Sequence, residues 1–113
     1  LEGVTKEYGV DIVLSESVYQ RLGQEFLCRS ADLVRVKGKR EPVAVFTVLG
    51  ARASTPLPRG LEDYEQGILD YRAGRFEAAI TRFTQAATAG LDDALTLLYL
   101  QRCSNLRDHP PTD

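Results

Sequence analysis

The sequence predicts an α+β chain in two parts. Helix, strand, helix and β-hairpin occupy residues 1–50, and a small antiparallel helical segment occupies 61–104. Three observations predict this. Short runs of β-type residues in the first part are bounded by turn residues. ARASTPLPRG (51–60) has small residues, two prolines and no periodicity, which marks a linker. From Leu61 onward apolar residues recur at spacings of three and four, interrupted by glycines.

The elements follow in order. LEGVTKEY (1–8) reads as the last turns of a helix, with Leu1, Val4 and Tyr8 on one face and Gly9 where a left-handed cap belongs. DIVL (11–14) is a short apolar run, read as a buried strand. Ser15 suits the N-cap of SESVYQRLG, because its hydroxyl oxygen can accept an orphan N–H of the first turn. Val18, Tyr19 and Leu22 then face inward and Gly23 ends the helix. In FLCRSADLVRVKG (26–38) alternation is clearest from Leu33, with Val34, Val36 and Gly38 opposite Leu33, Arg35 and Lys37. Its partner, PVAVFTVLG (42–50), is apolar on both faces and so should be covered on both sides. Pro42 lacks an N–H and belongs at the strand's beginning. The two strands make a hairpin with KGKRE (37–41) at its tip.

Three helical patterns follow the linker: 61–74, 75–90 and 91–106, punctuated by Gly74 and Gly90. Asp92 and Asp93 read as the acidic first turn of the third helix. That helix is apolar on more than one face, so it should cap the preceding pair and leave surface for a dimer or partner contact. Residues 105–113 read as a disordered tail. The chain opens in mid-pattern and contains no methionine, so it is expected to be the C-terminal piece of a longer protein.

Composition narrows the function. The net charge of −2 supplies no cationic excess to hold a nucleic-acid backbone, which excludes that partner class. No apolar run approaches the ~18 residues of a membrane span, and the opening residues do not form a signal-peptide pattern. The segment is therefore expected in the cytoplasm, although an upstream segment could anchor a parent chain to a membrane. Cys28 and Cys103 form no CxxC pair and read as free thiols. His109 lies in a polar tail with no second ligand or nucleophile beside it. No carboxylate pair has the spacing of a metal site.

Two stretches together carry a resemblance. LEGVTKEYGVDIVLSESVY (1–19) and VRVKGKREPVAVFTVLG (34–50) resemble the C-terminal end of a class III adenylate/guanylate cyclase catalytic domain. The resemblance implies a ferredoxin-like α/β sandwich working as a homodimer with composite active sites. It implies conversion of ATP or GTP to a 3′,5′-cyclic nucleotide and pyrophosphate, in intracellular signalling, with Mg or Mn as cofactor. The family's metal carboxylates, purine-selecting residues and Asn-x-x-x-Arg motif lie upstream of Leu1, so the fragment alone is expected to be inactive. What remains is the first lysine of VKGK, here Lys37, which the resemblance makes a triphosphate contact. An ammonium on a flexible stem suits that task, and Gly38 permits a positive φ or a close approach. Lys39 and Arg40 read as solvated.

Residues 61–104 are similar to a tetratricopeptide-type (TPR-like) repeat on Gly67, Tyr71, Gly74, Phe76, Ala79, Phe83 and Ala86. Small residues at 67, 79 and 86 let two helices approach, and the aromatics fill the space between them. Tyr71 sits one place beyond the usual aromatic, and Leu91 stands where a proline is common. The alternative function is therefore a non-catalytic, cyclase-derived interaction module that binds protein through these helices.

Overall fold

A computed structural model describes residues 13–34, 37, 38 and 40–110. The helix expected over 1–8, with its Gly9 cap, lies outside the described residues. The architecture is mixed α+β, and the chain divides into two compact units, Leu1–Leu57 and Pro58–Asp113.

In the first unit, β1 (Val13–Ser15), α1 (Glu16–Leu22), β2 (Phe26–Val34) and β3 (Val43–Ala51) build a three-stranded sheet in the order β1-β3-β2 with one helix. Both pairings are antiparallel. Ser15 both closes β1 and caps α1, its side chain accepting from the Val18 N–H at 3.5 Å. Gly23 ends α1 for a reason of space. Its φ is −66°, and an added Cβ would lie 2.7 Å from the Tyr19 carbonyl oxygen. Pro42 stands just before β3, where its missing N–H costs no ladder bond.

β2, described over Phe26–Val34, begins at Phe26, well before the alternation that starts at Leu33. Two register shifts hide the early part of this strand in the sequence. One falls between Leu27 and Cys28, and one between Ser30 and Asp32. A bulge breaks the two-residue period, so the consecutive residues Ser30 and Ala31 are both buried.

Paired residues across an antiparallel sheet share a face. Leu14, Phe46 and Ser30 form one such row, and Val13, Thr47 and Arg29 another. α1 lies over the first row: the Tyr19 ring stacks on Phe46 with centroids 3.9 Å apart and planes at 14°. On the opposite face Arg29, Val45 and Thr47 are buried. β3 is thus covered on both sides, as its apolar content predicts.

The second unit holds α2 (Leu61–Arg72), α3 (Phe76–Ala89) and α4 (Ala94–Asp108). Short turns join them, so successive helices pack as hairpins. The core is aromatic. Tyr64, Phe83 and Tyr99 are fully buried with Ile68, Leu95, Thr96 and Cys103. Phe83 and Tyr99 stack at 5.3 Å, and Tyr64 meets both rings edge-on. Burying each such ring is worth ~1.5–3 kcal/mol. Gly74 turns the chain between α2 and α3 at φ +80°. Beside it the buried Asp70 carboxylate accepts from Arg75 Nε and lies 3.0 Å from its Nη2.

Two expectations about α4 need correction. Asp93 is the N-cap and not a first-turn residue; its carboxylate accepts from the Thr96 N–H at 3.1 Å. The tail read as disordered from residue 105 is helical through Asp108. Arg107 ties this last turn to Glu77 on α3 at 3.5 Å and pairs with Asp108 at 3.2 Å. The helix then stops ahead of Pro110, whose ring disfavours helical backbone in the residue before it. Among the described residues no helix is long and apolar enough to cross a membrane.

Candidate functional site

The β2–β3 hairpin carries the candidate site. Among the described residues its strands are held in register as far as Val34↔Val43. Lys37 and Gly38 form a turn in the loop, and both are exposed. Gly38 has φ +88°, in the region that favours glycine. Arg40, Glu41 and Pro42 complete the described part of the tip and are also exposed. Among the described residues no carboxylate pairs with Lys37. Lys39 lies outside the described residues.

Such a tip can present a compact cation to an anionic group. Among the described residues no group of three or more His, Cys, Asp or Glu could hold a metal ion. Both cysteines are free thiols. Burial pushes the Cys103 thiol up to about 11, with nearby Arg102 opposing the shift. Cys28 moves in the same direction for the same reason, opposed by Arg52. Neither is a poised thiolate. His109 is exposed.

The residues singled out in the helical part fall together. Gly67, Ala79, Phe83 and Ala86 are buried where α2 meets α3. Tyr71 is half-buried, 6.2 Å from the Phe76 ring and 5.1 Å from Tyr99. Gly74 lies in the turn and is exposed. Sequence reasoning missed Tyr64, although its place three before Gly67 and four before Ile68 puts it on the same helix face. It also missed Tyr99 and the buried Asp70. Near the α2–α3 turn an open groove of about 540 Å³ is lined by Arg75, Phe76, Glu77, Leu106, Arg107 and Pro110, among others. Its cations are already paired, Arg75 with Asp70 and Arg107 with Glu77 and Asp108.

Sequence reasoning also missed Arg29, a guanidinium only 3% exposed in the middle of β2. Its register partner is Thr47, whose Oγ1 is buried with no hydrogen-bond partner among the described residues. A single Arg in a mixed polar–apolar run gives no signal of burial, because the bulge at Ala31 scrambles the parity that would have placed it.

The fold and tip thus define a small α+β segment with a charged hairpin and a helical extension. No protein-family model matches the chain, and no solved structure matches it. It is similar to the terminal-differentiation-specific adenylate cyclase of Dictyostelium discoideum, at 32% identity over 108 residues. The match covers 90% of this chain and 5% of that protein, so the chain spans only a small part of its relative's length. The similarity supports a cyclase relationship. Neither compact unit makes up much more than half of the chain, so a match over 90% enters both.

Proposed function

We propose that residues 1–50 are the C-terminal end of a class III nucleotide cyclase catalytic domain of the ferredoxin-like type. The longer protein would make a 3′,5′-cyclic nucleotide and pyrophosphate from ATP or GTP for intracellular signalling. The observation that carries this reading is the adenylate cyclase similarity over 90% of the chain. The exposed Lys37 at the tip of a well-paired hairpin supports it. In the reaction the ribose 3′-oxygen bonds to the α-phosphorus, its proton leaves, and the bond to pyrophosphate breaks. Negative charge grows on the departing phosphate oxygens. An ammonium placed there gains most in the transition state, which is what accelerates the chemistry. Lys37 is that ammonium. Mg or Mn would be held by ligands outside this chain. The working unit is a homodimer, and the TPR-like helices over 61–104 form its regulatory or dimerising extension.

The test is a cyclase assay with manganese and either ATP or GTP, on the protein extended upstream of Leu1 and on the same protein carrying Lys37→Ala. The substitution should lower catalysis by ~10²–10³, the usual effect of losing one charge-stabilising group. An active parent unaffected by Lys37→Ala would reduce the hairpin tip to a solvated turn. An inactive parent would favour a second reading, a protein-binding module acting through the helices, which the exposed Leu69 and Leu97 support.

A further inference from the structure

Gly38 offers more than a flexible link beside Lys37. A glycine can be required for space or for backbone conformation, and the two are separable here. Among the described residues nothing lies within 4 Å of where a Cβ at position 38 would stand. Among the described residues space is therefore not the requirement. The conformation is: φ at Gly38 is +88°, a region that L-residues other than Asn and Asp rarely enter. Gly60 differs, since an added Cβ there would also meet the Ala86 carbonyl oxygen at 2.5 Å. Gly74 and Gly90 share the open space and positive φ of Gly38, but they stand at helix ends, where such residues terminate the helix. Only Gly38 of these stands next to the residue assigned to phosphate.

We propose that Gly38 is a positioning residue for Lys37: its left-handed backbone sets the direction in which the Lys37 ammonium leaves the hairpin tip. The claim rests on the phosphate-contact reading of Lys37. The described ladder of β2 and β3 runs to Val34↔Val43, which fixes the register of the two strands that carry the tip. With alanine at 38 the turn must either keep a disfavoured conformation or relax to negative φ. Relaxation reorients the peptide between 37 and 38 and carries the lysine stem with it. Asparagine tolerates the left-handed region and should keep the lysine aimed.

The experiment uses the upstream-extended protein and measures kcat and KM for Lys37→Ala, Gly38→Ala, Gly38→Asn and the double variant Lys37→Ala/Gly38→Ala. Gly38→Ala should lower kcat/KM by at least ~10-fold, with the same division between kcat and KM as Lys37→Ala. Gly38→Asn should stay within ~3-fold of the parent. In the Lys37→Ala background, adding Gly38→Ala should cost less than ~2-fold, because a misaimed residue that is already absent cannot be lost again. The proposal is overturned if the two effects simply multiply, if Gly38→Asn is as damaging as Gly38→Ala, or if Gly38→Ala is silent. A Gly38→Ala protein that loses its far-UV circular dichroism would assign the glycine to folding instead. If Lys37→Ala itself is silent, or the parent is inactive, the phosphate reading falls and takes this proposal with it. If Lys37→Ala is damaging and Gly38→Ala is not, only the positioning role falls.

Discussion

Replacing Gly67 by alanine tests the packing of the helical unit at its tightest point. Position 67 lies inside α2, where alanine is normally better than glycine by ~0.5–1 kcal/mol, because glycine loses more backbone freedom on folding. Here the sign should reverse. An added Cβ would stand 2.9 Å from Phe83 Cε1 and 3.0 Å from Cδ1 and Cζ, so it would press on the ring itself. The ring has no retreat: Phe83 is fully buried, stacked on Tyr99 at 5.3 Å and met by Tyr64 at 5.5 Å. Overpacking of a closed core costs ~1–3 kcal/mol. The net loss should be roughly 0–2.5 kcal/mol, with a midpoint of ~1, and about 4–8 °C in melting temperature per kcal/mol for a unit of this size. Urea unfolding of the whole chain, followed at 222 nm, reads it directly. Gly67→Ala/Phe83→Leu should recover part of the loss that either change causes alone. A Gly67→Ala protein stabilised by the ~0.5–1 kcal/mol normal for a helix interior would refute the close-approach argument, as would a double variant whose losses merely add.

Three further outcomes are expected. Asp70→Ala leaves Arg75 without its carboxylate and should cost ~1–2 kcal/mol. Because the Arg75 side chain is 59% exposed, the coupling in a double-mutant cycle with Arg75→Ala should be at most ~1 kcal/mol and should shrink in 1 M salt. Asp93→Ala removes the cap of α4 and should lower helical stability by ~1 kcal/mol, most of which Asp93→Asn should retain. The Cys103 thiol is raised to about 11 from an ordinary value of 9.0. The unfolded chain therefore gives up this proton first, and the thiol's stabilising contribution, complete below pH 9, should be lost as pH rises toward 11. The stability gap between the parent and Cys103→Ala should narrow over that interval, and a constant gap would count against the burial assigned to the thiol.

Much of the fold is legible in short stretches, and the reason is local backbone chemistry. Ser15 as a cap, Pro42 ahead of a strand, and Gly74 and Gly90 as turns each follow from what a residue's own φ, N–H or hydroxyl permits. The hairpin is legible for the same reason: two β-type runs flank a charged, glycine-bearing tip. Spacing of four and three puts Ala79, Phe83 and Ala86 on one face of α3, whereas Gly67, on α2, joins them only through the TPR-like resemblance.

Other features required the folded chain. The bulges at Ala31 and Leu49 displace register by one residue, which reverses inward and outward parity and buries Arg29 unannounced. Asp70 is buried through a turn that brings Arg75 against it. The last turn of α4 carries a polar sequence that reads as tail, yet Arg107 joins it to Glu77, thirty positions away. Lys37 and Gly38 stand between these cases. Their residue types name a cation and a permissive backbone, but the φ of +88° and the open space around it belong to the folded hairpin. Caps, turns and helix faces depend on neighbours in sequence, and so they can be read along the chain. Register, burial and the aim of a side chain depend on groups that meet only when distant segments close on one another, and only the folded structure settles them.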